Sequence, residues 1–354
     1  MGVKHRRSAD AEPLRAALVG TGTMARRHAA VLAARPEVEL SCLVSTERSR
    51  EAAQALANEH SIPKVTTNLD EVLDHVDLVY VCTADDSHVE LVTTALRAEK
   101  AVFCEKPLAR SADGFSEIGA ALEAAQGVAL QVGMNCRFRR FAEVQRLVAG
   151  GSLGALRLLR GTYLQNLVAS VKTGAKPWMR RPPAGVDQFL HGGAIHCLDL
   201  MRWIGGDVAS VFARTRSDDL SPDWPCDTVS VSLEFLSGAL GEFVGSATAF
   251  GPRSFELQAW LSEGSIVDDE VHCRRGDGSD MPPERLAPAP ERLDLDLQLD
   301  DLLASIHDGT EPLNSFGEAL ANYGLIAAIA ASATDGMPVS LDSVAVGGAG
   351  RGAA

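Results

Sequence analysis

Two glycines and an alanine near the start of the chain have the spacing of a phosphate-binding turn. Gly20, Gly22 and Ala25 fit the pattern G-x-G-x-x-G/A, directly after the apolar run Leu14–Val19 and at the start of a helical segment. Gly20 permits a tight turn, Gly22 lets the backbone approach a pyrophosphate, and a small residue at 25 lets helix and strand pack closely. The free N–H groups at the helix start would bind the phosphates. Strand, turn, helix and second strand follow within about 30 residues, so we predict a dinucleotide site rather than a glycine turn without a ligand.

The residues after the second strand bear on the choice between NAD(H) and NADP(H). Ser45, Thr46, Glu47 and Arg48 follow that strand in order. An acid at this place accepts hydrogen bonds from the ribose hydroxyls and repels a 2′-phosphate. Ser45 and Thr46 can donate to a phosphate, and Arg48 or Arg50 can pair with it. We therefore favour NADP(H), although a shift of one residue would make Glu47 the ribose acid of an NAD(H) site.

Further reactive side chains lie at or just beyond the ends of apolar, strand-like runs. They are in the segment Thr83–His88, in the tripeptide Glu105-Lys106-Pro107, and at His196 and Asp199 of an isolated helix. Open parallel sheets bind ligands beyond the carboxyl ends of their strands. Oxidation of an alcohol or reduction of a ketone needs a side chain that accepts or donates a proton. These segments therefore contain the candidate catalytic groups.

Together with the glycine pattern, these segments make the chain resemble the Gfo/Idh/MocA oxidoreductases, the family of glucose–fructose oxidoreductase and inositol dehydrogenase. The resemblance runs over residues 14–341 and includes E-K-P, GMNCRF at 133–138, HCLDLMRWIGG at 196–206 and SATDGMPVSL at 332–341. It implies an enzyme that transfers a hydride between NAD(P) and a secondary alcohol or ketone of a sugar, amino sugar or cyclitol.

The resemblance also implies roles for individual residues. Lys106 would hold the reacting oxygen, and His196 would exchange a proton with the same oxygen. A lysine that faces an oxidised nicotinamide is close to a like charge, which lowers its pKa. Glu105 would contact the cofactor, and Pro107 would follow a cis peptide bond. Apart from the resemblance, Asp199 lies three residues after His196 on the same helical face, where it is either a residue that orients a substrate hydroxyl or an ordinary surface acid of the helix.

The sequence departs from the family's pattern at Gly192. Many sugar-active members have an aspartate four residues before the histidine, and His191 and Asp187 are the polar residues near that position here. Either of them could take the aspartate's place, which leaves the substrate contacts open. His191, His196 and Cys197 do not predict a metal site, because residues five apart do not share one face of an α-helix.

The remaining assignments are single residues. His88 is expected near the cofactor or as a helix cap, and Tyr163 as a substrate contact or an exposed strand residue. Trp178 and Arg180 precede the histidine helix, where the family often has a Trp-Arg pair. A basic cluster that faces either the pocket or solvent comprises Arg137, Arg139 and Arg140. The predicted substrate-binding residues are Asp199, His191, Trp178, Arg180 and Tyr163. The predicted cofactor-binding residues are Gly20, Thr21, Gly22, Thr23, Met24, Ala25, Ser45, Thr46, Arg48, Thr83, Ala84, Asp85, His88, Glu105, Lys106 and Asn135.

The order of apolar runs predicts two domains, one α/β and one α+β. Over residues 14–133 short β-rich runs alternate with helical segments, which is typical of a Rossmann domain with a covered parallel sheet. Over residues 134–341 strand-like runs follow one another, which predicts a large, mainly antiparallel open sheet. One helix, Ala194–Ile204, interrupts these strands, and the last helix, about 316–334, is expected to pack back toward the Rossmann domain. Flexible tails are expected over residues 1–13 and 342–354.

Composition excludes several classes of protein. The 354 residues have a net charge of −14, which argues against nucleic acid or an anionic membrane as the main partner. Residues 262–308 contain 13 acidic and four basic side chains, so the charge does not select a substrate, and a cationic amino sugar stays possible. Seven scattered cysteines without a C-x-x-C pair indicate reduced thiols in a cytoplasmic protein. The longest apolar stretch, near residues 324–331, is shorter than the ~20 residues that span a bilayer.

Two other functions fit the same motifs. A cofactor-binding sensor of this fold would lack catalysis; Gly192 favours it, whereas Lys106 and His196 argue against it. An enzyme that cleaves glycosides through a transient ketone would consume no net cofactor. For any of the three, we expect a homodimer or homotetramer that forms through the open face of the C-terminal sheet.

Overall fold

A computed structural model of the chain describes residues 12–138, 141–173, 186–217, 226–275, 278–287, 292 and 294–343. The chain forms two compact units. Unit 1 contains the residues up to Asn135 together with Arg292–Leu320, and unit 2 contains Cys136–Glu291 with Ala321–Val346. The predicted flexible tails lie outside the described residues, except for residues 12–13 and 342–343.

Unit 1 begins with a six-stranded sheet and five helices. Its strands are β1 (Leu14–Val19), β2 (Val38–Val44), β3 (Lys64–Thr66), β4 (Leu78–Val81), β5 (Ala101–Cys104) and β6 (Leu130–Val132). Its helices are α1 (Thr23–Ala33), α2 (Arg50–Glu59), α3 (Asp70–Leu73), α4 (His88–Arg97) and α5 (Ala112–Ala124). The strands are all parallel, in the order β3-β2-β1-β4-β5-β6. This is the strand order of dinucleotide-binding domains and confirms the predicted Rossmann fold.

Unit 2 contains a nine-stranded sheet. Its strands are β7 (Leu156–Leu164), β8 (Val208–Arg216), β9 (Thr228–Phe235), β10 (Leu240–Ser246), β11 (Ser254–Leu261), β12 (Gly264–Val267), β13 (Glu270–Cys273), β14 (Glu284–Arg285) and β15 (Val339–Ser340). Their order is β14-β13-β12-β11-β7-β10-β9-β8-β15, and β7 with β10 is the single parallel pair among them. The predicted mainly antiparallel sheet is therefore confirmed.

Unit 2 also contains helices before its second strand, one of which packs on the sheet. They are α6 (Phe141–Ala149), α7 (Val168–Lys172), α8 (Val186–Phe189) and α9 (Ile195–Gly205), and a π-helical turn, Leu190–Ala194, joins the last two. Helix α9 lies close against β7, since a Cβ atom at Gly161 would stand 2.5 Å from Sδ of Met201 and 2.8 Å from Sγ of Cys197. Glycine at 161 thus permits the close packing of helix and strand.

Helix α10 (Asp294–Asp308) belongs to unit 1, although the sequence analysis placed its residues in the C-terminal domain. Leu295, Leu299 and Leu302 lie on one face of the helix and join the same buried cluster as residues of β1 and α1. At the polar edge of this contact, the guanidinium of Arg35 lies 2.7 Å from the carboxylate of Asp296. The apolar stripe therefore attaches α10 to the Rossmann sheet.

The outer edge of β6 is covered by α10 and by the segment that follows it. The backbone N–H of Val132 donates to the carbonyl oxygen of Asn314 at 2.8 Å. The side-chain amide of Gln298 donates to the carbonyl oxygen of Val132 at 3.1 Å. An uncovered edge strand would present free donors and acceptors to other chains, and these contacts prevent that.

Helix α11 (Phe316–Asp335) follows Ser315, whose Oγ accepts the backbone N–H of Glu318 at 3.4 Å and so caps the start of the helix. Phe316 packs on Phe115 within unit 1, with ring centroids 6.0 Å apart, and from Ala321 onward the helix belongs to unit 2. At 20 residues, α11 is long and apolar enough to cross a membrane by length and composition alone. Buried helices of water-soluble proteins pass the same test, so this helix gives only weak support for a membrane span.

Candidate active site

The glycine turn after β1 has room for a phosphate group. Gly20 has φ +115°, and a Cβ atom there would overlap the carbonyl oxygen of Cys82, so only glycine fits. A Cβ atom at Gly22 would meet no protein atom within 4 Å, which leaves open space at the start of α1. No side chain caps this helix start, and its first turn contains no acidic residue. The N–H groups therefore remain directed at this space, which fits a bound pyrophosphate.

One acidic and one basic side chain after β2 form an ion pair. Arg50 donates to both carboxylate oxygens of Glu47, at 2.6 and 3.0 Å, and the hydroxyl of Thr67 donates to one of them at 3.3 Å. The guanidinium of Arg50 holds the pKa of Glu47 below its ordinary value. Ser45 is buried, whereas Thr46 and Arg48 are exposed beside it.

Lys106 follows β5 at the carboxyl end of the sheet, where its predicted role requires it. The Lys106–Pro107 peptide bond is cis, as expected from the resemblance. One carboxylate oxygen of Glu105 accepts the backbone N–H of Lys106 at 3.2 Å, and the other lies 3.1 Å from Nε2 of His28. The main chain at Lys106 is thus tied to helix α1 through Glu105.

His88 is buried at the start of α4 and bridges two loops. Its Nδ1 lies 2.8 Å from the carbonyl oxygen of Pro107, and its Nε2 lies 3.3 Å from that of Thr83. Carbonyl oxygens can only accept, so the short contact identifies Nδ1 as a donor. His88 therefore holds together the loops after β4 and β5, on which predicted cofactor-binding residues lie.

Two predicted cofactor-binding residues have protein partners in unit 1. The carboxylate of Asp85 lies 3.2 Å from the guanidinium of Arg110. The amide of Asn135 donates to the carboxylate of Asp294 at the start of α10. Their cofactor contacts stay predictions, but these partners fix both side chains in place.

The π-helical turn of unit 2 contains His191 and lies directly before the helix of His196. A π turn rotates by a smaller angle per residue than an α turn. The side chains of His191 and His196 therefore leave the helix axis in more similar directions than α-helical spacing implies. His191 is buried and stacks on Tyr323 at 6.2 Å, His196 is half-buried, and a Cβ atom at Gly192 would meet no atom within 4 Å. Sequence reasoning missed this turn, although π turns are frequent at functional sites.

Asp199 forms a buried ion pair. It is 1% exposed, and both of its oxygens accept from the guanidinium of Arg137, also 1% exposed, at 2.6 and 2.9 Å. The amide of Asn322 donates to the same carboxylate at 2.7 Å. These contacts favour a structural role, in contrast to the predicted contact with a substrate hydroxyl. They also place Arg137 inside the protein rather than on a solvated face.

Tyr163 is buried rather than exposed on its strand. Its hydroxyl lies against Gly193, where a Cβ atom would overlap it, and the guanidinium of Arg253 lies 5.5 Å from its ring centroid. Burial raises the pKa of Tyr163 above its ordinary value. The tyrosine therefore supports the π turn from the sheet side.

Several predicted residues lie outside the described part of the chain, namely Trp178, Arg180, Arg139 and Arg140. Within the described ranges no three His, Cys, Asp or Glu side chains are grouped as metal ligands. None of the seven cysteines, all of which are described, forms a disulfide.

His28 is the residue of this site that sequence reasoning missed. It lies on α1 three residues after Ala25, and residues three apart share a helix face. Because Ala25 must pack against the sheet, a histidine at 28 must be buried as well. The three-residue spacing from Ala25 is therefore the sequence signal that could have identified His28 as a buried residue of this site.

Comparisons with known proteins match both units to one family. The model of an oxidoreductase family with an NAD-binding Rossmann fold matches residues 14–134, and the model of the GFO/IDH/MocA C-terminal domain matches residues 141–267.

Named relatives match most of the chain. Myo-inositol 2-dehydrogenase of Thermotoga maritima is 29% identical over 73% of this chain and 76% of its own. The 1,5-anhydro-D-fructose reductase of Ensifer adhaerens is 28% identical over 74% of this chain and 78% of its own. The crystal structure of GenD2 from gentamicin A biosynthesis, in complex with NAD, superposes with a TM-score of 0.74 at 25% identity, over 96% of this chain and 99% of its own. With both units matched in order, the chain belongs to the GFO/IDH/MocA oxidoreductase family.

Proposed function

We propose that this protein is an NAD(P)-dependent oxidoreductase acting on a CH–OH group, that is, on a secondary alcohol or the matching ketone of a sugar, amino sugar or cyclitol. The observation that carries the proposal is the turn at Gly20 and Gly22, which has room for a pyrophosphate in the same unit as Lys106. The named relatives, a cyclitol dehydrogenase and a sugar-ketone reductase, support the substrate class.

We assign the proton transfer to Lys106 and His196. The bound nicotinamide supplies the hydride acceptor or donor. Oxidation of the alcohol also releases the hydroxyl proton, and a neutral amine at Lys106 can accept it while His196 donates to or accepts from the same oxygen. In the reduction, Lys106 returns the single proton to the carbonyl oxygen while His196 hydrogen-bonds to the same oxygen. Glu105 and His88 fix the loop from which Lys106 acts.

We propose NADP(H) rather than NAD(H) as the preferred cofactor. Arg50 pairs with the carboxylate of Glu47, and its positive charge offsets the repulsion between that carboxylate and a 2′-phosphate. Arg48 is exposed beside Thr46 and forms no ion pair within the described part of the chain. Its guanidinium is therefore available to a phosphate at this place.

Turnover is tested with each cofactor and a panel of inositols, polyols, sugars, amino sugars and ketosugars, by the absorbance of the reduced nicotinamide. We expect Lys106→Ala to lower kcat by about 10²–10⁴-fold, because general acid–base catalysis contributes that much. Lys64→Ala, an exposed lysine of the same unit, is the control and should retain activity.

The other outcomes separate the rival functions. Tight cofactor binding without turnover of any compound, and no effect of Lys106→Ala, would contradict the proposal and support a sensor. Glycoside cleavage without net change of the cofactor, detected by product analysis, would support redox-assisted elimination.

We also propose a homodimer or homotetramer in the cytoplasm. The outward side of the sheet has an apolar row in which Trp260 pairs with Leu158, and Leu158 with Leu240. Leu240 is 57% exposed, and such a row is suited to a second copy of the chain. Seven cysteines without a disulfide suit a reducing compartment.

A further inference from the structure

We propose that His28 is a positioning residue for Lys106, which it holds in place through Glu105. The inference rests on the proposed role of Lys106 as the group that moves the proton. It concerns a residue of helix α1 that has no predicted role in catalysis or binding.

His28 has a fixed position. The imidazole is 1% exposed and packs against two aromatic rings, Phe103 at 4.7 Å and Tyr80 at 5.3 Å between centroids. The two aromatic rings stack on one another at 4.4 Å. Because these contacts confine the ring, Nε2 is directed at Oε1 of Glu105 at 3.1 Å. A carboxylate oxygen only accepts, so Nε2 is the donor.

Glu105 transmits this position to Lys106. It is 7% exposed, and its second oxygen accepts the backbone N–H of Lys106 at 3.2 Å. Gly133 packs on the far side of the carboxyl group, where a Cβ atom would stand 3.0 Å from Cδ. The carboxylate is therefore confined between a donor on α1, the main chain of Lys106 and the backbone of Gly133.

Three titratable side chains around Glu105 are neutral, so the hydrogen bond from His28 is important for its carboxylate. The titratable groups that face this carboxylate from β4 and β5 are Tyr80, Cys82 and Cys104, and burial raises the pKa of each well above its ordinary value. They remain neutral at physiological pH, so they do not compensate the charge of Glu105. A buried carboxylate without its hydrogen-bond donor is destabilised, which favours a new hydrogen bond from another donor. The ammonium group of the adjacent Lys106 can be that donor. Loss of His28 would then both release the main chain at Lys106 and favour the charged form of its amine.

The test compares His28→Leu, which removes the donor, with His28→Gln, which keeps an N–H at a similar reach. We expect His28→Leu to lower kcat about tenfold or more, the loss typical of one hydrogen bond to a charged group, and to move the Lys106 limb of the pH profile to higher pH. The KM of the substrate should change by less than about twofold, which is small beside the tenfold loss expected in kcat. His28→Gln should recover most of kcat and the original pH profile. His75→Leu, at an exposed histidine of the same unit, is the control.

The results separate this inference from the proposed function. A wild-type kcat and pH profile in His28→Leu, or a loss that His28→Gln does not recover, overturns the positioning role while the function stands. Absence of turnover in the wild-type protein refutes the function. In that case the amine of Lys106 is titrated by carbon-13 NMR after reductive methylation. A higher apparent pKa in His28→Leu, reversed in His28→Gln, supports the positioning role, and an unchanged titration overturns it.

Discussion

At the scale of single residues, two arginines near the end of β2 differ in their partners. Arg50 is bound to Glu47, whereas Arg48 forms no ion pair within the described residues. We expect Arg48→Ala to lower kcat/KM for NADP⁺ about tenfold or more, since hydrogen bonds to charged groups contribute ~1.5–3 kcal/mol. The value for NAD⁺ should stay the same, because NAD⁺ has no 2′-phosphate. Steady-state kinetics with both cofactors measure the ratio of kcat/KM for NADP⁺ to kcat/KM for NAD⁺.

Arg97→Ala is the matched control for this change, since Arg97 is an exposed arginine of the same unit that pairs with Glu117. It should leave both cofactors unaffected. Equal losses for NAD⁺ and NADP⁺ in Arg48→Ala, or a wild-type preference for NAD(H), would contradict the proposed selectivity.

At the scale of elements, a substitution at the start of α1 should weaken cofactor binding more than it lowers the stability of the fold. A methyl group at Gly22 meets no protein atom but fills the space at the helix start. Gly22→Ala should therefore lower the free energy of unfolding by no more than about 1 kcal/mol, the cost of alanine at a helix N-cap. Cofactor binding should weaken about tenfold or more, a loss of roughly 1.4 kcal/mol. Thermal unfolding and a fluorescence titration with the reduced cofactor measure the two effects.

Gly317→Ala serves as the control, because a Cβ atom there makes only ordinary contacts at the start of α11, in the part of that helix that belongs to unit 1. If Gly22→Ala binds the cofactor as tightly as Gly317→Ala, the phosphate does not lie against this turn.

Elements with strong local patterns were predictable, and those fixed by distant partners were not. The bounds of β1 and β2 follow from short buried runs, and the glycine turn from its own spacing. Strand β3 has three residues and depends on pairing with β2, so its sequence has no periodic signal. The partner of Asp199 is Arg137, 62 residues earlier in the chain, and no local pattern indicates that contact. Likewise, the apolar face of α10 predicts packing without showing which unit it joins.

At the scale of the whole molecule, we propose that copies of the chain associate through the outward face of the unit 2 sheet. If copies of the chain associate there, Leu240→Arg places a charge in the contact, and its desolvation destabilises the oligomer. We expect light scattering after gel filtration to show a dimer or tetramer for the wild type and a smaller species for this variant.

Leu236→Arg is the control, because Leu236 is 62% exposed but follows the end of β9 instead of lying on the sheet face. A monomeric wild type, or the same size for both variants, would contradict assembly through this face.

The path of the chain through the two units affects how the protein forms during synthesis. Unit 1 needs Arg292–Leu320, and unit 2 needs residues from Ala321 onward. A ribosome releases the N-terminal part first, and domains made of one continuous segment can fold as they emerge. Here the sheet that binds the cofactor lacks α10 and the cover of β6 until unit 2's main sheet has been synthesised. Neither unit can complete its fold until these C-terminal segments have left the ribosome, so the nascent chain exposes apolar surface until then.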